Sequence, residues 1–150
     1  MTSPSFEELV EALNHILEDD GTYRAVSFIL PVQPMPAPRP KFTRDGTLYT
    51  GKPYVTWRGR VAPHIPKLEP IIAGLRCAIA LDLVLPPYKT VSTKWPKGDI
   101  DNYEKAVWDI VTRKKYIWKD DVQVCLSITG KRFTSSTEVP HAAVYIREIL

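Results

Sequence analysis

The chain has 150 residues, 44% hydrophobic and 25% charged, with a net charge of +3; this is the size and balance of one globular domain able to bury roughly 68–70% of its unfolded surface. No apolar run approaches the roughly 18 residues of a membrane span, and the opening MTSPSFEELVEAL lacks the basic and apolar regions of a secretory leader, so a cytoplasmic location with no membrane partner is expected. The charge is uneven: residues 1–23 hold six acidic and no basic residues, leaving the rest at +9, a balance suited to nucleic acid or another polyanion.

Residues 5–20 read as an amphipathic helix, with Phe6, Leu9, Val10, Leu13, Ile16 and Leu17 at helical spacing. Ser5 and Glu8 form a capping-box pattern and Gly21 stands where a C-terminal cap is expected. The apolar stripe must bury on its own sheet or across a subunit interface; the acidic face is read as a solvated surface. Residues 24–32 follow as a strand with Val26, Phe28, Leu30 and Val32 on one face. PVQPMPAPRPK is too rich in proline for a helix or a central strand, so it reads as a stiff connector.

Residues 39–67 interleave Arg39, Lys41, Arg44, Lys52, Arg58, Arg60 and Lys67 with Phe42, Tyr49, Tyr54 and Trp57. Cations neutralise phosphates and aromatic faces stack on unpaired bases, which makes Arg39, Lys41, Arg44, Lys52, Arg58 and Arg60 the candidate DNA contacts. The bland alternative is a loop whose aromatics pack on the core. Arg44-Asp45-Gly46 marks a hairpin tip, and residues 53–73 are expected to be helical in part, interrupted near Pro63 and Pro66. Residues 76–85 form the clearest strand, followed by the loop PPYKTVSTKWPKG, a helix over 101–113, a strand over 122–131 and a last strand over 142–149. Cys77 and Cys125 lie in apolar runs without metal-ligand spacing and read as reduced core residues. His15, His64 and His141 are scattered and form no catalytic pattern. The order of elements argues for one α+β domain with a mixed or antiparallel sheet and packed helices.

The chemistry concentrates in KGDIDNYEKAVWDIVTRKKYIWKDDVQV, residues 97–124. Asp99 precedes the helix and Asp101 opens it, where the helix dipole favours negative charge. Asp101, Lys105 and Asp109 are spaced four apart on one face, and Asp120 and Asp121 fall where the next strand begins. If that strand lies beside the helix N-terminus, the carboxylates converge into a site for Mg²⁺, which prefers oxygen ligands. Such an ion polarises a phosphodiester and activates water, and Lys105 would balance charge in the transition state. Each residue also has a structural reading, as helix cap, exposed partner or turn.

GDIDNYEKAVWDIV followed by YIWKDDVQV closely resembles the core motif of RusA-type Holliday junction resolvases, D-x-D-N-x-x-K-x-x-x-D and then W-x-D-D-x-Q-V, and PMPAPRPK resembles the Pro- and Arg-rich segment after that family's first strand. The similarity covers roughly residues 24–148. It implies a RusA-like fold over residues 23–150, with residues 1–22 an acidic helical extension ahead of the family's usual start. It also implies a homodimeric, Mg²⁺-dependent endonuclease of DNA recombination and repair, often phage-encoded, that nicks four-way junctions symmetrically. Mn²⁺ is expected to substitute. By position, Asp99, Asp101 and Asp121 match the catalytic metal-binding aspartates and Lys105 the essential lysine. Asp120 matches a further acidic position and is counted with the metal ligands; Asp109 either faces the site or orients Lys105. The loop at 132–140 lacks the extra basic residues sometimes found in the family.

Phe42, Tyr54 or Trp57 is the expected wedge at the branch point. The competing readings are a broader nuclease for flaps and other branched DNA, and a non-catalytic basic DNA-binding module whose aspartates serve caps and turns. A protein-interaction module built around the PxxP-like proline-rich segment is a distant third.

Overall fold

The computed structural model describes residues 2–19, 21–69, 72, 74–89 and 93–150. Asp20 of the expected first helix, Pro70, Ile71 and Ala73 of the expected helical segment and residues 90–92 of the loop lie outside them.

Helix α1 (Phe6–Leu17) starts where the capping box requires: the Glu8 N–H donates to Ser5 Oγ and the Ser5 N–H to the Glu8 carboxylate, both at 3.2 Å. It ends earlier than expected. Glu18, not Gly21, takes the left-handed cap conformation, and its N–H donates to the Asn14 carbonyl. Leu9 and Leu13 are buried, whereas Ile16, counted in the stripe, is 58% exposed.

The main sheet runs β1 (Ala25–Leu30), β6 (His141–Ile149), β4 (Arg76–Leu85), β5 (Val124–Phe133) in spatial order. β4 pairs parallel with β5 and antiparallel with β6, so the sheet is mixed. All of β4 from Cys77 onward is buried, as expected of a central strand covered on both faces. One face carries Cys77, Ile79, Leu81 and Leu83 against α2 (Lys52–Val61) and α3 (Ile100–Lys114). The other carries Ala78 and Ala80, whose small side chains receive Leu9 and Leu13. The α1 stripe is therefore buried on its own sheet.

Between β1 and α2 the chain makes a small hairpin of β2 (Lys41–Phe42) and β3 (Leu48–Tyr49), with Gly46 at φ +88° in its tip. A short 3₁₀ turn, Ala62–His64, closes α2 at Pro63.

The expected alternation across residues 122–131 breaks. Val122 is 78% exposed and lies outside the strand. A bulge then passes from the pair Cys77–Val124 to the pair Ala78–Leu126, leaving Cys125 as the extra residue. Val124 consequently packs with the α2–α3 core while Leu126 and Ile128 pack beneath α1, because one extra residue moves the following side chains to the other face. Cys125 is exposed, not a core residue; Cys77 is buried, and burial pushes its thiol up to about 12. Both cysteines are free.

Two charge clusters, each built around a buried residue, Asp82 or Arg147, fasten the sheet's α1 side. Asp82 is ion-paired with Arg132 at 3.1 Å, and Arg132 also holds Glu138 at 2.6 Å. Arg147, 1% exposed, is ion-paired with Asp19, donates to Asn14 Oδ1 at 3.2 Å and to the Glu148 carbonyl at 2.9 Å, and lies 3.5 Å from the centroid of the Tyr23 ring. Among the described residues no helix is long and apolar enough to cross a membrane.

Candidate nuclease site

The proline-rich segment is not a free tether. Alternating prolines leave few backbone N–H groups in residues 34–40, and one of these, on Ala37, donates to the Asn102 carbonyl at 2.9 Å. The segment is thus tied to the first turn of α3. The hairpin and α2 follow from that anchor, and the basic, aromatic stretch folds back over the helix that carries Lys105 and Asp109. A cleft of about 180 Å³ results, lined by Arg39, Pro40, Tyr54, Arg58, Lys105 and Asp109 among others.

Arg39, Lys41, Arg44, Lys52 and Arg60 are exposed and Arg58 is half-buried, so all six candidate DNA contacts keep some access to solvent. The aromatics divide. Phe42 is 68% exposed, but Tyr54 and Trp57 are buried, stacked on each other at 5.7 Å, with the Trp57 indole donating to the Gln33 carbonyl at 3.0 Å. Of the three expected wedges, Phe42 alone is free to act as one.

Asp99 occupies the N-cap position of α3, yet its carboxylate makes no capping bond. Asp101 is exposed and accepts the Asn102 N–H at 3.0 Å. Neither carboxylate is in an ion pair among the described residues. The approach to Asp99 is rigidly built. Lys131 donates to the carbonyls of Pro96 and Gly98 at 2.7 and 2.6 Å, and the Lys97 N–H donates to the Tyr88 hydroxyl at 2.6 Å. Gly98 stands at φ +95°, and a Cβ there would lie 3.0 Å from the Tyr103 ring. Gly98→Ala is therefore expected to shift Asp99 and to lower cleavage by about tenfold while the melting temperature falls only a few degrees; an unchanged turnover rate would show that the loop's shape does not matter to the site.

The turn carrying Asp120 and Asp121 is held just as firmly. Trp118 is fully buried and donates to Thr112 Oγ1 at 2.8 Å. The Gln123 side chain accepts the N–H groups of Lys119 and Asp120 and donates to the carbonyls of Ile72 and Leu75 at 2.7 and 2.8 Å. In W-K-D-D-V-Q the tryptophan and glutamine are thus the anchors, and the aspartates are what they display. Asp120 accepts the Val122 N–H at 3.2 Å. That bond and its contact with Asp121 hold its carboxyl below the usual range, while burial and the charge of Asp120 push Asp121 up.

Asp121 also feels Asp109 and Lys105, which sets this turn beside the middle of α3. Asp109 is half-buried; burial pushes its carboxyl up against the opposing pull of Lys105, Arg58 and Arg113. Asp101 and Asp109, eight residues apart on α3, stand about 12 Å apart along the helix. Lys105 lies between them on the helix face. Among the described residues no three carboxylate, imidazole or thiolate groups converge closely enough to enclose an ion. The donors suit a hard divalent ion by their chemistry, but this arrangement does not draw them into one cage.

The anchors Ala37, Gln123 and Lys131 went unrecognised as functional supports, since each acts through backbone partners far away in sequence. Only the glutamine carried a signal, its fixed place in the motif.

A family model for the endodeoxyribonuclease RusA matches residues 31–147. A search of curated protein sequences finds no match.

Proposed function

Because the chain belongs to the RusA endodeoxyribonuclease family, a family of hydrolases that cut DNA at junctions with the help of divalent metal, we propose that it resolves four-way junctions by paired nicks with Mg²⁺ as the working ion. Mn²⁺ would substitute. The observation that carries this reading is the cleft in which Arg39 and Arg58 of the basic segment meet Lys105 and Asp109 of the acidic motif: strand binding and bond breaking need groups of both kinds side by side.

Asp99, Asp101, Asp120 and Asp121 are the carboxylates that would supply the ion's oxygen ligands, and holding it would require them to draw together. When bound, it supplies Lewis acidity toward the phosphodiester and toward an attacking water. The chain's own residues do the rest. Arg39, Lys41, Arg44, Lys52, Arg58 and Arg60 bind backbone phosphates and fix the strand. Lys105, on the helix face between Asp101 and Asp109, balances the negative charge that grows on the phosphate as it becomes five-coordinate. Asp109, beside Lys105, orients that ammonium. Phe42, exposed at the hairpin, inserts where bases are unstacked at the branch point.

A four-way junction has two-fold symmetry, so two coordinated nicks call for two sites related the same way, and a C2 homodimer is the assembly that provides them. We place the activity in the cytoplasm, where such junctions arise during recombination and repair.

The test is cleavage of end-labelled four-way junction, flap and linear duplex with Mg²⁺, Mn²⁺ or chelator. The expected result is symmetric nicking of the junction in either metal, with flap and duplex cut at least about tenfold more slowly. Equal cutting of flap and junction would replace this proposal with that of a broader branched-DNA nuclease.

A further inference from the structure

The cleft between α2 and α3 contains one group that the reading above leaves unused. Tyr54 is 6% exposed. Its ring is fixed by Trp57, stacked at 5.7 Å, and by the Arg58 guanidinium at 5.2 Å. Its hydroxyl is buried and has no hydrogen-bond partner among the described residues. Buried hydroxyls are nearly always paired, because an unpaired one costs free energy that folding does not recover. Asp109, which lines the same cleft, bears on the phenol with its charge; together with burial it pushes the phenol up, so the group is a protonated donor at neutral pH.

The surroundings say what such a donor is for. The cleft brings three cations, Arg39, Arg58 and Lys105, around one carboxylate, which favours an anion. Tyr54's ring is already engaged by Trp57 and Arg58, so the side chain has its hydroxyl to offer, not a stacking face. About 180 Å³ accommodates a phosphate with its bridging oxygens. We propose that the Tyr54 hydroxyl donates a hydrogen bond to a DNA backbone phosphate seated among Arg39, Arg58 and Lys105, fixing the strand next to the cleavage site. Tyr54 is then a positioning residue for the substrate, hidden in sequence as a core aromatic. This rests on the reading of the protein as a junction-cutting enzyme.

Tyr54→Phe tests it, since the ring, its stacking and its burial are kept and only the hydroxyl is lost. Binding to a fluorescent four-way junction is measured with chelator present, across a range of salt, alongside thermal unfolding. The expected result is a melting temperature equal to or above that of the wild type, affinity weaker by about tenfold, and an unchanged slope of log affinity against log salt, because no charge is lost. Arg58→Gln should weaken binding too, but with the slope reduced by about 0.9. Replacing single phosphates of the junction by methylphosphonate should reveal one position at which wild type and Tyr54→Phe bind equally. Affinity within twofold of wild type for Tyr54→Phe, or equal losses at every phosphate, would overturn the proposal. If the wild type cuts the junction and Tyr54→Phe binds it as well as the wild type does, this proposal alone fails; if the wild type neither binds nor cuts it, the functional reading fails first.

Discussion

Asp101→Asn is expected to reduce junction cleavage by about 100- to 1,000-fold while leaving the fold and DNA binding intact. The carboxylate is exposed, and its structural task is to accept the Asn102 N–H at 3.0 Å. The amide oxygen of asparagine can still do that, so helix α3 should start as before. What is lost is a full negative charge in the proposed ligand set, and with it several kcal/mol of the charge stabilisation that a divalent ion would bring to the transition state; each 1.36 kcal/mol is a factor of ten in rate. Junction affinity in chelator should hold or rise, because one negative charge facing a polyanion disappears. Single-turnover cleavage within threefold of wild type would remove Asp101 from the proposed metal site and leave Asp99, Asp120 and Asp121 as its candidates.

Arg147→Ala should cost about 3–5 kcal/mol of stability, the penalty for breaking a buried pair by removing one partner. The guanidinium is fully buried, pairs with Asp19, bonds Asn14 and covers the Tyr23 ring. Without it the Asp19 side chain, only 12% exposed, has lost its cation. Adding Asp19→Asn should return part of the loss, since the stranded charge is then gone. Urea unfolding of the single and double variants measures both effects; a loss below about 1 kcal/mol would show that α1 is held by its leucines alone. Cleavage per folded molecule should not change, because this clamp lies on the α1 side of the sheet and the acidic motif lies on the other.

The contrast between these two residues reflects what was legible in the sequence. Asp101 could be found because its chemistry is local: D-x-D, a lysine one turn on, and a helix whose buried residues Tyr103, Val107, Ile110 and Val111 recur at helical spacing. The Ser5–Glu8 box and the ten apolar-rich residues of β4 were readable for the same reason. Arg147 was not, because its partners Asp19 and Asn14 lie more than 120 residues away. The same holds for the early end of α1: Asp19 is drawn to Arg147, so the chain turns at Glu18 without a glycine. The bulge at Cys125 left no mark in the apolar pattern either, since a two-residue alternation reads the same whether or not one residue is later skipped. At the site, the motif named the acidic residues, but the approach of Asp121 to Asp109 and the burial of Tyr54 follow from packing between elements that composition cannot align.

The pairing of β1 with β6 has a consequence for how the chain comes to be folded. Ala25 meets Arg147 and Leu30 meets Ala142, so β1 has its ladder partner only after more than 110 further residues exist. At the usual pace of translation that interval is on the order of 10 s, far longer than a hairpin or helix needs to form. Helix α1 can close its capping box at once, but the sheet it packs on has no complete register until β6 arrives between β1 and β4. Val26, Phe28 and Leu30 therefore spend the whole of synthesis as an unpaired apolar strand, the kind of segment that recruits holding chaperones or aggregates when they are scarce. Non-local pairing of this kind also places refolding toward the slow end for a domain of this size. Yield in the cell is then expected to depend on how β1 is sheltered while it waits, and not on the final stability of the sheet alone.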